Sequence, residues 1–175
     1  MNSGVASCEE YIKRICIQFY ANPTEGEVAS AGCVFLDSIR RLLAVPRNEA
    51  SGVLAALRRR GLRTGLVSNA AGYVADGWRD SPLAPLFDVA VFSCSVGLTK
   101  PDPEIYALAS RRLEALPSQC LYIADGKYRE LSGAEAVGMK AVQLRVPRET
   151  DNDDDRQRWS GPVISSLTDL LSLVA

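Results

Sequence analysis

The chain has 175 residues, enough for one domain with its own core or one domain with a small appendage. Its residues are 47% apolar and 23% charged, and its formal net charge of -1 gives no electrostatic reason to bind nucleic acid or an anionic membrane. The absence of histidine excludes a Ser-His-Asp or Cys-His site and a His-based zinc centre, leaving carboxylates, hydroxyls, lysine and backbone for any chemistry.

The five cysteines (Cys8, Cys16, Cys33, Cys94, Cys120) are odd in number and form no Cys-x-x-Cys pair, so reduced, mostly buried thiols are expected. No run approaches the ~20 apolar residues of a membrane span, and the N-terminus lacks the basic flank and apolar run of a signal peptide. A cytoplasmic chain is the expectation.

The first 45 or so residues read as helical. Tyr11, Ile12, Ile15, Cys16 and Phe19 recur at helical spacing with Lys13, Arg14 and Gln18 on the other face, until Asn22 and Pro23 break the run. A second run over about residues 26–43 has a stripe of Phe35, Ile39, Leu42 and Leu43, with Arg40 and Arg41 facing away, and ends before Pro46. From Asn48 onward amphipathic helices alternate with short apolar runs, the pattern of crossover units around a parallel sheet. The expected helices cover residues 49–60, 103–113, 131–137 and 164–173, and the expected strands residues 64–67, 89–92, 121–124 and 141–144. Gly61 and Gly138 fall just past helix ends, where a left-handed residue suits glycine. The acidic stretch 151–155 reads as a solvated loop.

In open parallel sheets functional groups gather at the carboxyl ends of the strands. The first expected strand leads to Ser68 and Asn69, the second through Ser93 to Thr99, Lys100, Pro101, Asp102 and Pro103, and the third to Asp125, with Glu130 five residues on. A hydroxyl, an ammonium and two carboxylates suit a phosphate and a divalent cation. Each also has a plainer reading. Ser68-Asn69 or Asp125 can cap a helix, Lys100 can be a surface lysine, and Glu130 can be a solvent-facing first-turn residue.

Taken together and in order, these segments resemble three of the four motifs of the haloacid dehalogenase superfamily, in its phosphatase-like subfamily. The run from Leu62 to Asn69 is similar to the second motif. The Lys100-Pro101-Asp102-Pro103-Glu104-Ile105-Tyr106 run is similar to the third, and the segment from Leu121 through Asp125, Glu130 and Ala134 to Met139 to the fourth. The resemblance spans roughly residues 48–144. It implies an α/β fold, a Rossmann-like parallel sheet with helices on both faces, over residues 48–175, preceded by a helical cap remnant over residues 1–47.

It implies roles as well. Ser68 would be hydrogen-bonded to a transferring phosphoryl group with Asn69 beside it, Lys100 would neutralise charge, and Asp125 would help hold Mg²⁺. Glu130 would serve as a second metal ligand or act on the metal through water. Two residues depart from the pattern: Ala124, where the family has glycine, would add a Cβ beside the metal site, and Lys127, a cation close to the metal position, would weaken Mg²⁺ binding by repulsion. The first motif, an apolar strand followed by Asp-x-Asp-x-Thr that supplies the nucleophile, has no counterpart before Ser68, so Met1 is expected to fall inside the cap. An alternative alignment lays Phe19 to Thr24 over that motif, with Tyr20 and Asn22 replacing both acids. Either way the expected chain is hydrolase-like without its nucleophile. The second reading is a non-catalytic module that binds a phosphorylated small molecule or a protein, with self-association possible.

Overall fold

The computed structural model describes residues 7–146 and 154–174. Two helices come first. α1 (Cys8–Gln18) starts where the Ser7 hydroxyl accepts the Glu10 amide at 3.2 Å. α2 (Glu25–Ala44) starts at a reciprocal capping box between Thr24 and Glu27, which satisfies two amides that the first helical turn leaves unpaired. Then follow α3 (Ala50–Arg59), β1 (Gly65–Ser68), α4 (Gly72–Trp78), β2 (Val89–Phe92), α5 (Ser93–Val96), α6 (Pro103–Arg112), β3 (Leu121–Ala124), α7 (Glu130–Ala136), β4 (Lys140–Leu144), α8 (Asp154–Gln157), β5 (Val163–Ile164) and α9 (Leu170–Leu173).

All strand pairs are parallel, as the alternation of helices and apolar runs predicts. They form two sheets among the described residues, β1-β2 and β3-β4-β5. β1 and β3 therefore each have a strand on one side only.

The two faces are packed by different helices because successive side chains of a strand point opposite ways. Tyr122 joins Val67, Val89 and the buried Val91 against Ile105, Tyr106 and Ala109 of α6 and Ala134 of α7, a cluster that spans both sheets. Leu121 and Ile123, on the other face of β3, pack with Val142 and Ile164 against Val53 and Leu57 of α3 and Leu170 of α9. This is the layering expected of a Rossmann-like sheet. β3 is nonetheless half-exposed at all four positions, whereas its neighbour β4 is buried at Ala141, Val142 and Gln143.

Several expectations are corrected. The run 164–173 is not one helix. β-branched Val163 and Ile164 follow Pro162 and ladder onto Gln143 and Leu144, and α9 begins only at Leu170. The first strand lies one residue later than expected, and β4 starts one earlier, at Lys140. α4 was not foreseen, since two glycines in seven residues blur its helical signal. Of the acidic stretch, residues 151–153 lie outside the described residues, and α8 begins at Asp154. Only Cys8 among the thiols is buried, Cys33 is exposed and the other three are half-buried.

The first two helices bury less than their stripes suggest. Tyr11 and Ile12 pack with Phe35, Ile39 and Tyr73, the Phe35 and Tyr73 rings meeting edge to face at 5.3 Å. Ile17, Phe19 and Leu42 are more than 70% exposed. The alternative placement of a first motif at Phe19 to Thr24 needs a strand ahead of Tyr20, and that stretch is the helix α1. Gly61 and Gly138 have φ of 74° and 90°, as their positions past helix ends predict.

Candidate active site at the strand ends

Asn69, directly after β1, clamps the loop that carries Lys100. Its side-chain oxygen accepts the Lys100 amide at 2.7 Å and its NH₂ donates to the Lys100 carbonyl at 3.0 Å. Asn69 is thus a positioning residue for the lysine. Ser68 ends β1 one residue before it, half-buried, and the next residue, Ala70, is tied to the start of α5 through the buried Ser93 hydroxyl.

So held, the Lys100 side chain crosses to the β3 side. Its Nζ meets Glu130 Oε2 at 2.5 Å and the Tyr122 hydroxyl at 3.3 Å. The pair is enclosed, with side chains 14% and 7% exposed. Tyr122 donates to the same carboxylate oxygen at 3.0 Å, the Gly126 amide reaches Glu130 Oε1 at 3.3 Å, and the Tyr106 hydroxyl donates to the Glu130 carbonyl at 2.9 Å. Burial first, and then the Glu130 charge, push both phenols well above the ordinary tyrosine range. Both remain protonated donors. Both carboxylate oxygens of Glu130 and both phenols are hydrogen-bonded, which makes a low-dielectric cluster rigid.

Gly133 lets α7 come close enough to carry Glu130. A Cβ there would lie 2.7 Å from the Pro101 carbonyl oxygen and 2.8 Å from the Tyr106 hydroxyl. Gly133→Ala must push the lysine loop and α7 apart, an overpacking effect of about 1–3 kcal/mol. Urea unfolding of Gly133→Ala measures it, with Gly52→Ala, whose Cβ would meet nothing within 4 Å, as control.

Asp125, whose carboxyl also lies against the Glu130 side chain, has further partners. Its Oδ1 accepts the Lys127 amide at 3.0 Å, and its Oδ2 is ion-paired with Arg156. Burial pushes the Asp125 carboxyl up, but the Lys127 amide and the Arg156 guanidinium outweigh it and hold the group below the ordinary aspartate value. A depressed folded-state value means that the stability Asp125 contributes is present above its unfolded-state value near 3.8 and is lost as pH falls through the depressed one. Acid unfolding followed by circular dichroism is expected to show this loss below about pH 4 and to show less of it in Asp125→Asn. Superimposable profiles would remove the link.

The structure therefore brings Asn69, Lys100 and Glu130 into direct contact, sets Ser68 beside Asn69, and gives Asp125 its own partner. Tyr122 and Arg156 are site residues that the sequence reading missed. Tyr122 was visible only as a polar-tipped residue within an apolar strand. Arg156, 31 positions from Asp125, carried no local signal. A cavity of about 310 Å³ opens beside the same turn, lined by Gly126, Arg129, Leu131, Ser132, Arg158 and Trp159, and includes none of Ser68, Asn69, Lys100, Asp125 and Glu130.

The model of the haloacid dehalogenase-like hydrolases matches residues 7–138. The chain belongs to that family. A glyceraldehyde 3-phosphate phosphatase from Methanopyrus kandleri is 30% identical over 142 residues, covering 77% of this chain and 60% of that enzyme. An (S)-2-haloacid dehalogenase 1 from Pseudomonas sp. strain CBS-3 is 29% identical over 138 residues, covering 78% of this chain and 60% of the dehalogenase. This member thus spans about 60% of the length of those two relatives. The crystal structure of a HAD phosphatase from Thermococcus onnurineus superposes with a TM-score of 0.70 at 21% identity, over 93% of this chain and 70% of that one, a likeness of fold.

The Mg²⁺ that the family resemblance implies does not fit these residues as arranged. Both oxygens of Asp125 and both of Glu130 already accept an N–H or O–H donor or an ion pair. Two fixed cations, Lys100 and Arg156, balance the two carboxylates, and among the described residues no group of three or more Asp, Glu, Cys or His is placed to hold a metal.

Proposed function

We propose that the ends of β1 and β3 are the phosphate-handling part of a phosphatase-type hydrolase, and that this chain by itself binds phosphate without turning over phosphate esters. The observation that carries the reading is the clamped Lys100, fixed by Asn69 and set against Glu130 beyond the end of β1, where Ser68 stands. The Ser68 hydroxyl would donate to a phosphoryl oxygen and Lys100 would balance its charge. Neither is an attacking group. The 175 residues hold no Asp-x-Asp pair before Ser68, so no carboxylate is supplied for a phosphoenzyme. The relatives named as phosphatases favour a phosphorylated small molecule as ligand, which the segment 1–47, taken as a cap remnant on the 48–175 core, would help select. No described helix is long and apolar enough to cross a membrane, and a cytoplasmic location suits the reduced thiols.

The second reading, a non-catalytic interaction module, is favoured by one observation, the edges of β1 and β3 that no strand among the described residues covers. These would let the chain associate with itself or with a strand from a partner.

Turnover of para-nitrophenyl phosphate, with and without Mg²⁺, is expected at background. Activity that disappears in Asp125→Asn would overturn the reading. Calorimetry with inorganic phosphate is expected to show binding that weakens as salt rises and is largely lost in Lys100→Ala. The DNA ahead of Met1 separates the two readings. An in-frame apolar strand with Asp-x-Asp-x-Thr speaks for a hydrolase, and a nearby stop codon for a module.

A further inference from the structure

Lys100 answers Glu130, so the charge left at the strand ends belongs to Asp125, and Arg156 meets it. The Arg156 side chain is 6% exposed, far below a surface arginine that happens to lean on a carboxylate. Its backbone is docked as well. Gln143 on β4, itself fully buried, uses one NH₂ to reach both the Asp125 carbonyl at 3.0 Å and the Arg156 carbonyl at 3.1 Å. Gly126 completes the seat, because a Cβ there would lie 2.9 Å from that NH₂ and 3.6 Å from the Arg156 Cα. Three elements thus hold one guanidinium on one carboxylate oxygen: the turn after β3, the buried amide of β4, and α8.

We propose that Arg156 is a tethered cation standing where a divalent metal would bind Asp125, and that removing its charge turns the strand ends into a site for one divalent cation. The chemistry is consistent with exchange of one for the other. A guanidinium carries its charge at every accessible pH and offers N–H donors in a fixed fork, so it neutralises a carboxylate permanently. A small hard cation needs the same oxygens at about 2.0–2.1 Å and several waters, and cannot share Oδ2 with a buried arginine. With a neutral residue at 156 the Asp125 carboxylate loses the cation that balances it, and the Asp125 carbonyl lies beside it as a further oxygen donor.

The proposal takes from the functional reading only the choice of a hard divalent ion, and it is tested by binding, not turnover. Mn²⁺ serves as probe, its free concentration read by electron paramagnetic resonance against the full chain. Wild type is expected to take up no Mn²⁺ that depends on Asp125. Arg156→Gln is expected to bind one Mn²⁺ at least roughly tenfold more tightly than wild type, from the loss of a like charge within contact distance. Asp125→Asn combined with Arg156→Gln is expected to lose that gain, and Arg156→Lys to stay like wild type. A wild-type Mn²⁺ site that disappears in Asp125→Asn, or a folded Arg156→Gln with no gain, overturns the proposal. If Arg156→Gln is poorly folded, Mg²⁺ is expected to raise its melting temperature while leaving wild type unchanged, since a ligand bound only by the folded state stabilises it. A variant that Mg²⁺ does not rescue overturns the proposal equally. Phosphate turnover in wild type would sink the functional reading and leave the Mn²⁺ result to stand or fall separately.

Discussion

Replacing Lys100 by Met is expected to destabilise the chain by about 3–5 kcal/mol, because it strands a buried carboxylate rather than because an ion pair is strong in itself. The Glu130 side chain is 7% exposed, its remaining hydrogen-bond donors, the Tyr122 hydroxyl and the Gly126 amide, are neutral, and the Asp125 carboxyl lies beside it. Removing the second charge relieves the problem. Lys100→Met combined with Glu130→Gln is therefore expected to recover most of the loss, which a sum of independent single effects would not do. Urea denaturation of the two single variants and the double variant measures the coupling. A loss under about 1 kcal/mol in Lys100→Met would mean the pair behaves as a surface salt bridge. The same variants also make the phosphate test cleaner. Binding compared between Glu130→Gln and the double variant, each first shown by circular dichroism to be folded at the assay temperature, reads the lysine's charge with no carboxylate opposite it.

What the sequence revealed and what it hid divide along the range of the interactions involved. Strands 89–92 and 121–124 were read to the residue, because each is a short apolar run between breakers. The order Ser68, Lys100, Asp125, Glu130 was legible because polar residues at strand ends stand out against such runs. The links among them were not. Asn69 looked like a helix cap, and its hold on the Lys100 backbone depends on a loop that returns 31 residues later. Asp125 was read toward a metal, and its arginine partner comes from α8, whose seat is built by Gln143 and Gly126. Likewise Val163 and Ile164 are locally compatible with the start of a helix, and only the free edge of β4 makes them a strand. The stripe of α1 misled for the opposite reason. Its helical period is real, but no described element covers Ile17 and Phe19.

The other large effect comes from the two open strand edges. Asn69 and Lys100 tie the carboxyl end of β1 to Tyr122 of β3, and α6 and α7 share one cluster that reaches both sheets, so the edges belong to one layer. β1 pairs only with β2, and β3 only with β4, among the described residues. A strand of four or five residues laid between them would make roughly eight to ten ladder hydrogen bonds, worth on the order of 8 to 10 kcal/mol at about 1 kcal/mol net each. That is comparable with the roughly 5–15 kcal/mol by which a whole domain is stable. Ile15, Ile17 and Phe19 alternate as the residues of a strand would, but they lie in and just after α1 and so do not supply it. Unpaired parallel edges are templates for another chain, and the purified protein is expected to self-associate as its concentration rises, measured by sedimentation velocity. In hydrogen exchange, amides of β1 and β3 that do not face β2 or β4 are expected to exchange far faster than those of β4, and to slow as association proceeds. A stable monomer with strong, cooperative protection throughout Gly65–Ser68 and Leu121–Ala124 would show that the open edges cost the fold far less than the ladder arithmetic requires.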